Sequence, residues 1–145
     1  MKNELLRHVI ATIKYRFEKS VNDSLKAFGS FSAGQGSRSA KEIIHHMYDV
    51  LYSTRYFIEN EELPTEQPHG LTFTREIERF RLELETLDQV LTSEELPLSY
   101  AKRLIQGPFS DLLTHLGQIA MLQRLYGNPI DGEDFSKASI KTGLD

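Results

Sequence analysis

Asp111 and His115 stand four residues apart in a segment, Phe109 to Tyr126, whose other residues are largely apolar. That spacing puts a carboxylate and an imidazole on one side of a helix. With Asp111 at zero and a step of about 100° per residue, His115 falls at about 40°, Gln118 at about 340°, Leu122 at about 20° and Leu125 at about 320°. The three polar residues therefore share a stripe with leucines expected to be core. Burying polar groups without partners costs a few kcal/mol each, so the stripe needs a partner. The adjacent pair His45-His46 offers one. The apolar residues around that pair centre near Met47 and Thr54. His46 lies about 80° from this centre, at the edge of the stripe, and His45 about 180° away, beside Asp49, Tyr52 and Tyr56. His46 is the one that faces inward. His45 reads as a surface residue, paired with Asp49 at i+4.

Two imidazoles and a carboxylate are sound ligands for a divalent transition metal. Zinc accepts nitrogen and oxygen donors, and two histidines with one carboxylate also suit nickel, iron or manganese. His46, Asp111 and His115 are the candidate ligands, with positions left open for a small-molecule substrate. A second reading needs no metal. An acid in the first turn of a helix is favoured by the dipole alone, and His115 can be a core histidine bonded to Asp111 or to a backbone carbonyl. Gln118 is then a supporting donor or a buried amide. Tyr48, Tyr52 and Tyr56 read as amphipathic packing, His8 and His69 as surface, and the acidic run Glu59 to Glu62 as a solvated helix end. No P-loop, dinucleotide-binding or Gly-x-Ser-x-Gly pattern occurs.

Four amphipathic segments must position these residues. In the first, Leu6, Ile10, Ile13, Phe17, Val21, Leu25 and Phe28 recur at helical spacing up to Gly29. Residues 29–37 read as a flexible connection. Ser39 with Glu42 forms a capping box that opens a second helix, ending near Asn60. The third stripe is Phe73, Ile77, Phe80, Leu84, Leu87 and Leu91, capped by Thr72 or Thr74. Thr92 with Glu95 can cap a short extra turn, and Ser99 to Gln106 a further helical piece. Gly107-Pro108 is expected to start the fourth helix, and Gly127, Asn128 and Pro129 to end it. The tail from Ile130 reads as loop, packed through Phe135 and Ile140. The expected fold is an all-α four-helix bundle spanning residues 1–145 as one domain, with a C-terminal tail and a short extra helix.

Composition narrows the function classes. The chain has 145 residues, no cysteine and a net charge of −4. Without cysteine there is no disulfide framework, thiolate cage or thiol nucleophile, which fits a reducing, cytoplasmic location. Lys and Arg are scattered among acids, so nucleic acid is not an expected partner. No apolar run approaches the ~18 residues of a membrane helix. Met1 to Ser20 reads as an amphipathic helix, not a signal peptide.

The segment Gln106 to Ile130, with its Thr-His-Leu-Gly-Gln run, resembles the last helix of the DinB/YfiT-like superfamily. Glu42-Ile-Ile-His-His-Met-Tyr-Asp49 resembles that family's second-helix motif, a His followed three residues later by Asp, and Asp134 to Ile140 is similar to a tail in some members. The resemblance implies a four-helix bundle, often a homodimer, with a metal held by one second-helix His and a His-x-x-x-His on the last helix. His46 matches the first position and His115 the last. The remaining one falls on Asp111, which is either a ligand in place of histidine or leaves the site incomplete. Ser139 departs from an acidic position in the tail. Asp49 and Gln118 would support the ligands or touch substrate. Relatives include thiol-dependent transferases and isomerases, in which a metal activates a small cofactor's thiol. For this chain such a thiol would come from outside. Two functions follow: a metal-dependent enzyme, either a thiol-dependent transferase or a hydrolase, or a non-catalytic bundle that works by dimerisation or binding.

Overall fold

The computed structural model describes residues 1–145 and is all-α. Its helices are α1 (Glu4–Val21), α2 (Ala40–Asn60), α3 (Phe73–Val90), the short α4 (Leu98–Leu104) and α5 (Ser110–Tyr126). A π-helical turn, Ile105–Phe109, joins α4 to α5 without a break, so the two make one continuous fourth rod. Around the bundle the order is α1, α3, α2, α5, and each long helix packs on its two neighbours. Consecutive α1 and α2 therefore stand diagonally, linked by residues 22–39. This is not a plain up-down-up-down bundle. No helix is long and apolar enough to cross a membrane.

Local chemistry sets several of the ends. The Ser39 hydroxyl accepts from Glu42 N at 3.2 Å, and Glu42 Oε1 accepts from Ser39 N at 2.9 Å. That capping box holds the first turns of α2, the turns that carry His45 and His46. The bonds to Ser39 hold the Glu42 carboxyl below its ordinary pKa. A group whose pKa is depressed by folding stabilises the fold above its unfolded value and loses that contribution as pH falls through the folded one. Glu42→Ala should therefore lower Tm at neutral pH. Its deficit against the native chain should shrink below pH ~4, within the carboxylate range, in thermal melts over a pH series. Thr72 caps α3, and Gly127, at φ 98°, ends α5.

Other ends differ from the sequence reading. α1 stops at Val21, because Asn22 turns extended and Asp23 takes φ 56°. Leu25 is exposed, while Phe28 is fully buried on a separate 3-10 turn, Lys26–Ser30. Gly29 lies on that turn against α3. A Cβ on Gly29 would stand 2.6 Å from Phe73 Cβ, so Gly29→Ala should cost ~1–3 kcal/mol as an overpacked core does, read as a lower midpoint in urea. Thr92 caps nothing: its hydroxyl donates to Gln89 O. Glu95 instead accepts from Asn3 N at 2.6 Å, and the Asn3 amide donates to Leu91 O and Glu94 O, pinning the start of α1. Pro108 does not open the fourth helix but sits inside it. A proline has no N–H to give the preceding turn, and the widened π turn takes up that loss, with the Ser110 hydroxyl donating to Ile105 O at 2.5 Å.

The core joins all four rods through Ile10, Phe17, Met47, Phe80, Leu84 and Ile119 among others, with the Phe17 and Phe80 rings 4.6 Å apart. Three acidic residues of α3 are buried and paired. Glu76 meets His45 and Arg79, Glu83 meets Arg55, and Asp88 meets Arg7. The tail lies along α1. It carries one 3-10 turn, Phe135–Lys137, with Arg16 3.9 Å over the Phe135 ring, and Ile140 is half-buried. His8 is not free surface: its Nδ1 lies 2.7 Å from the Thr142 hydroxyl of the tail.

Candidate metal centre

α2 and α5 are neighbours, and their facing flanks bring together His46, Asp111 and His115. Asp111 Oδ2 lies 3.7 Å from His46 Nε2 and 3.3 Å from His115 Nε2. The two imidazole rings meet nearly at right angles, with centroids 4.8 Å apart. One donor atom from each residue lies within 4.8 Å of the others. Ligands of a tetrahedral ion with bonds near 2.1 Å stand ~3.4 Å apart, so the donors are gathered around a common point but not fully drawn in.

The placement of the polar pair differs from the sequence reading. The buried face of α5 is Leu112, His115, Leu116, Ile119, Leu122 and Gln123. His115 is on its edge at 6% exposure, Asp111 is half-buried, and Gln118 and Leu125 are exposed. The stripe drawn through Asp111, Gln118 and Leu125 is thus rotated out of the core toward α2 and solvent. α5 carries apolar residues nearly all round, including exposed Leu113 and Met121, so its periodicity does not single out a face. Gln123 is fully buried, on a face the polar stripe does not mark. Its amide donates to Ser20 O and Ser24 Oγ, tying α5 to the end of α1.

The buried imidazole has a defined tautomer. His115 Nδ1 lies 2.8 Å from Gln118 Oε1, so it carries the proton and donates to that amide oxygen. Nε2 then presents a lone pair toward His46 and Asp111. That nitrogen is buried and has no hydrogen-bond partner, although Asp111 Oδ2 is near it. Buried polar atoms are nearly always satisfied, and an orphaned imidazole nitrogen facing a second imidazole and a carboxylate fits a cation. His46 fits as well. Burial pushes its pKa below the ordinary histidine value, helped by Arg38 and His115 and opposed by Asp111 and Asp49. It is therefore neutral, with a free lone pair, at pH 7. The group can hold a metal ion.

Gln118 supports a ligand directly through His115, while Asp49 makes no hydrogen bond to either imidazole. Asp49 instead lines, with His46, an open cavity of about 560 Å³. Asp111 lines a second one of about 590 Å³, with Pro108 and Thr114. The cluster is thus reachable from solvent on both sides. His45 is not the surface partner of Asp49. It turns to the α3 flank of α2, where its Nδ1 lies 2.9 Å from Glu76 Oε2, and Glu76 is almost wholly buried. Because α2 packs on both α3 and α5, both of its edges are half-buried, and each adjacent histidine finds a partner. Glu76 and Glu83, each three residues after a core phenylalanine, carry a faint sequence signal for this: they flank the apolar stripe. Tyr48, Tyr52 and Tyr56 stack along α2, with Arg79 over Tyr48 at 4.1 Å.

Set against family models, curated proteins and solved structures, the chain finds no match in any of the three comparisons.

Proposed function

We propose that this chain is a metal-dependent enzyme of the DinB/YfiT-like kind, a thiol-dependent transferase or a hydrolase, with a divalent ion held by His46, Asp111 and His115. The observation that carries the reading is the buried, unpartnered Nε2 of His115, held toward His46 and Asp111 by the Gln118 bond. A divalent ion at that point supplies Lewis acidity, which lowers the pKa of a water or an external small thiol.

The chain's own residues do the rest. His46 and His115 present neutral nitrogens from two helices, and Asp111 adds one negative charge at the solvent edge. Gln118 fixes the His115 tautomer, as a hydrogen-bonded partner behind a ligand does. The cavities beside His46 and Asp111 give a small substrate access from two directions. An ion held by His46, Asp111 and His115 would keep positions for a water or thiol, as catalytic sites with three protein ligands do.

The test is metal identification on protein purified without an affinity tag. Stoichiometric zinc, nickel, iron or manganese, followed by turnover of a thiol-transfer or ester substrate that chelation abolishes, supports the enzyme. Protein that stays metal-free after incubation with each of the four ions leaves the non-catalytic bundle as the reading.

A further inference from the structure

A cavity of about 790 Å³ opens between the loop before α2 and the outer side of α5. Ile43 and Leu122 form its buried floor, and Met121 and Leu125 its exposed flank. Its volume lies in the range of small-molecule sites, which are mostly apolar with a few polar groups that orient the ligand. Two such groups mark the end near the metal cluster. One is Gln118: its Oε1 is taken by His115, which leaves the amide N–H groups to the cavity. The other is Arg38.

Arg38 is the one charged residue along this cavity, in a chain of net charge −4. Arg7, Arg55, Arg79 and Arg81 pair with carboxylates, whereas Arg38, like Arg16, Arg75, Arg103 and Arg124, is in none of the ion pairs, and of these five it alone lines this cavity. It also lines the smaller cavity that His46 and Asp49 share, so Arg38 stands between the two spaces. Its charge reaches His46, whose pKa it helps to depress. A guanidinium beside an apolar trough suits a carboxylate with an apolar body, which it binds through a planar fork of donors.

We propose that this cavity binds a small amphipathic carboxylate, its alkyl or aryl body on Ile43, Met121, Leu122 and Leu125 and its anionic end on Arg38 and the Gln118 amide. The anionic end is thereby presented beside His46 and His115. What happens to the ligand there rests on the metal reading; its binding does not.

The probes are octanoate and its uncharged isostere octanamide, titrated into 15N-labelled protein in the presence of a chelator. Octanoate should shift the amides of Ile43, Gln118, Met121 and Leu122 and bind at least about tenfold more tightly than octanamide, as expected for one charge-assisted contact. Arg38→Gln should remove that preference and leave octanamide affinity unchanged. Met121→Ser should weaken both probes. Equal affinities for the two probes, an unchanged preference in Arg38→Gln, shifts confined to another surface, or no octanoate binding in the native chain would each overturn the proposal. Arg38 is exposed, so its replacement leaves the fold intact. The two readings separate cleanly. Arg38-dependent octanoate binding in a chain that takes up no metal overturns the enzyme alone. Metal uptake without Arg38-dependent binding overturns the carboxylate site alone.

Discussion

His115→Ala is expected to abolish stoichiometric metal binding, with affinity falling at least about 100-fold, since loss of even a partner behind a ligand costs 10–100-fold. The reason is the position of the imidazole. His115 is the buried member of the cluster, while Asp111 is half-exposed and His46 lies on the flank of α2. Without Nε2 of His115, the two remaining donors come from separate helices and face solvent. Gln118→Ala should cost ~10–100-fold by releasing Nδ1 and the tautomer it fixes. His115→Leu adds a readout that a merely structural histidine would not produce. Leaving a buried nitrogen unbonded costs ~1–3 kcal/mol, so an apolar replacement of similar size should leave the chelated protein as stable as the native chain or more so. Metal should then raise Tm in the native chain, by the equivalent of ~2.7 kcal/mol when its free concentration is one hundred times Kd, less in Gln118→Ala, and not at all in His115→Leu. Competition titrations against a chelator, with melts of all three variants, read these effects. Unchanged affinity in His115→Ala, or a His115→Leu variant that unfolds many degrees lower under chelation, would remove His115 from the metal site.

The second large effect lies at the opposite kind of charge, one fully satisfied. Arg7 Nε and its NH2 group donate to the two oxygens of Asp88 at 2.9 and 2.8 Å, and both residues are almost completely buried. Asp88 Oδ2 also accepts from Leu144 N at 2.9 Å, and Arg7 donates further to Asp145 at 2.8 Å. One ion pair thus joins α1, α3 and the tail. Arg7→Ala strands the Asp88 carboxylate in the core, and breaking such a pair costs ~3–5 kcal/mol. For a domain of this size that is a fall in Tm of ~10–15 °C, at ~3 °C per kcal/mol. The double variant Arg7→Met, Asp88→Leu should recover most of the loss, because apolar residues of similar volume replace buried ion pairs at little cost. Exposure of the tail, read by proteolysis after Lys137 or Lys141, should rise in the single variant. A single variant that melts within a few degrees of the native chain would mean that the pair contributes little.

Much of the scaffold is written in short stretches of sequence. Ser39 and Glu42 announce the start of α2, Thr72 or Thr74 that of α3, where the structure uses Thr72, and Gly127 the end of α5, because a cap satisfies backbone groups within a few residues. The stripe Phe73, Phe80, Leu84, Leu87 and Leu91 is legible because a helix repeats every ~3.6 residues. With four such segments, the bundle itself follows. Where competing local signals exist, the reading fails. Leu25 and Phe28 continue the spacing of α1, yet Asp23 at φ 56° has already ended it. Pro108 looks like a first-turn proline, yet the chain from Leu98 to Tyr126 runs through it as one helical rod.

The candidate site was half legible. His46, Asp111 and His115 could be chosen by type and spacing, since ligand chemistry and the i, i+4 rule belong to the sequence. Which flank each helix buries depends on its neighbours, and these come from residues far away in the chain. The ring order α1, α3, α2, α5 gives α2 a partner on both edges, so His45 finds Glu76 while His46 finds His115 and Asp111. It turns α5 by about 80° from the face its polar stripe suggested, placing Gln118 outside and Gln123 inside. By itself the sequence determined the helices and the identity of the donors, because both are set by local spacing and side-chain chemistry. Only the tertiary structure decided that one imidazole nitrogen is buried without a partner, because burial is a property of the whole packed bundle.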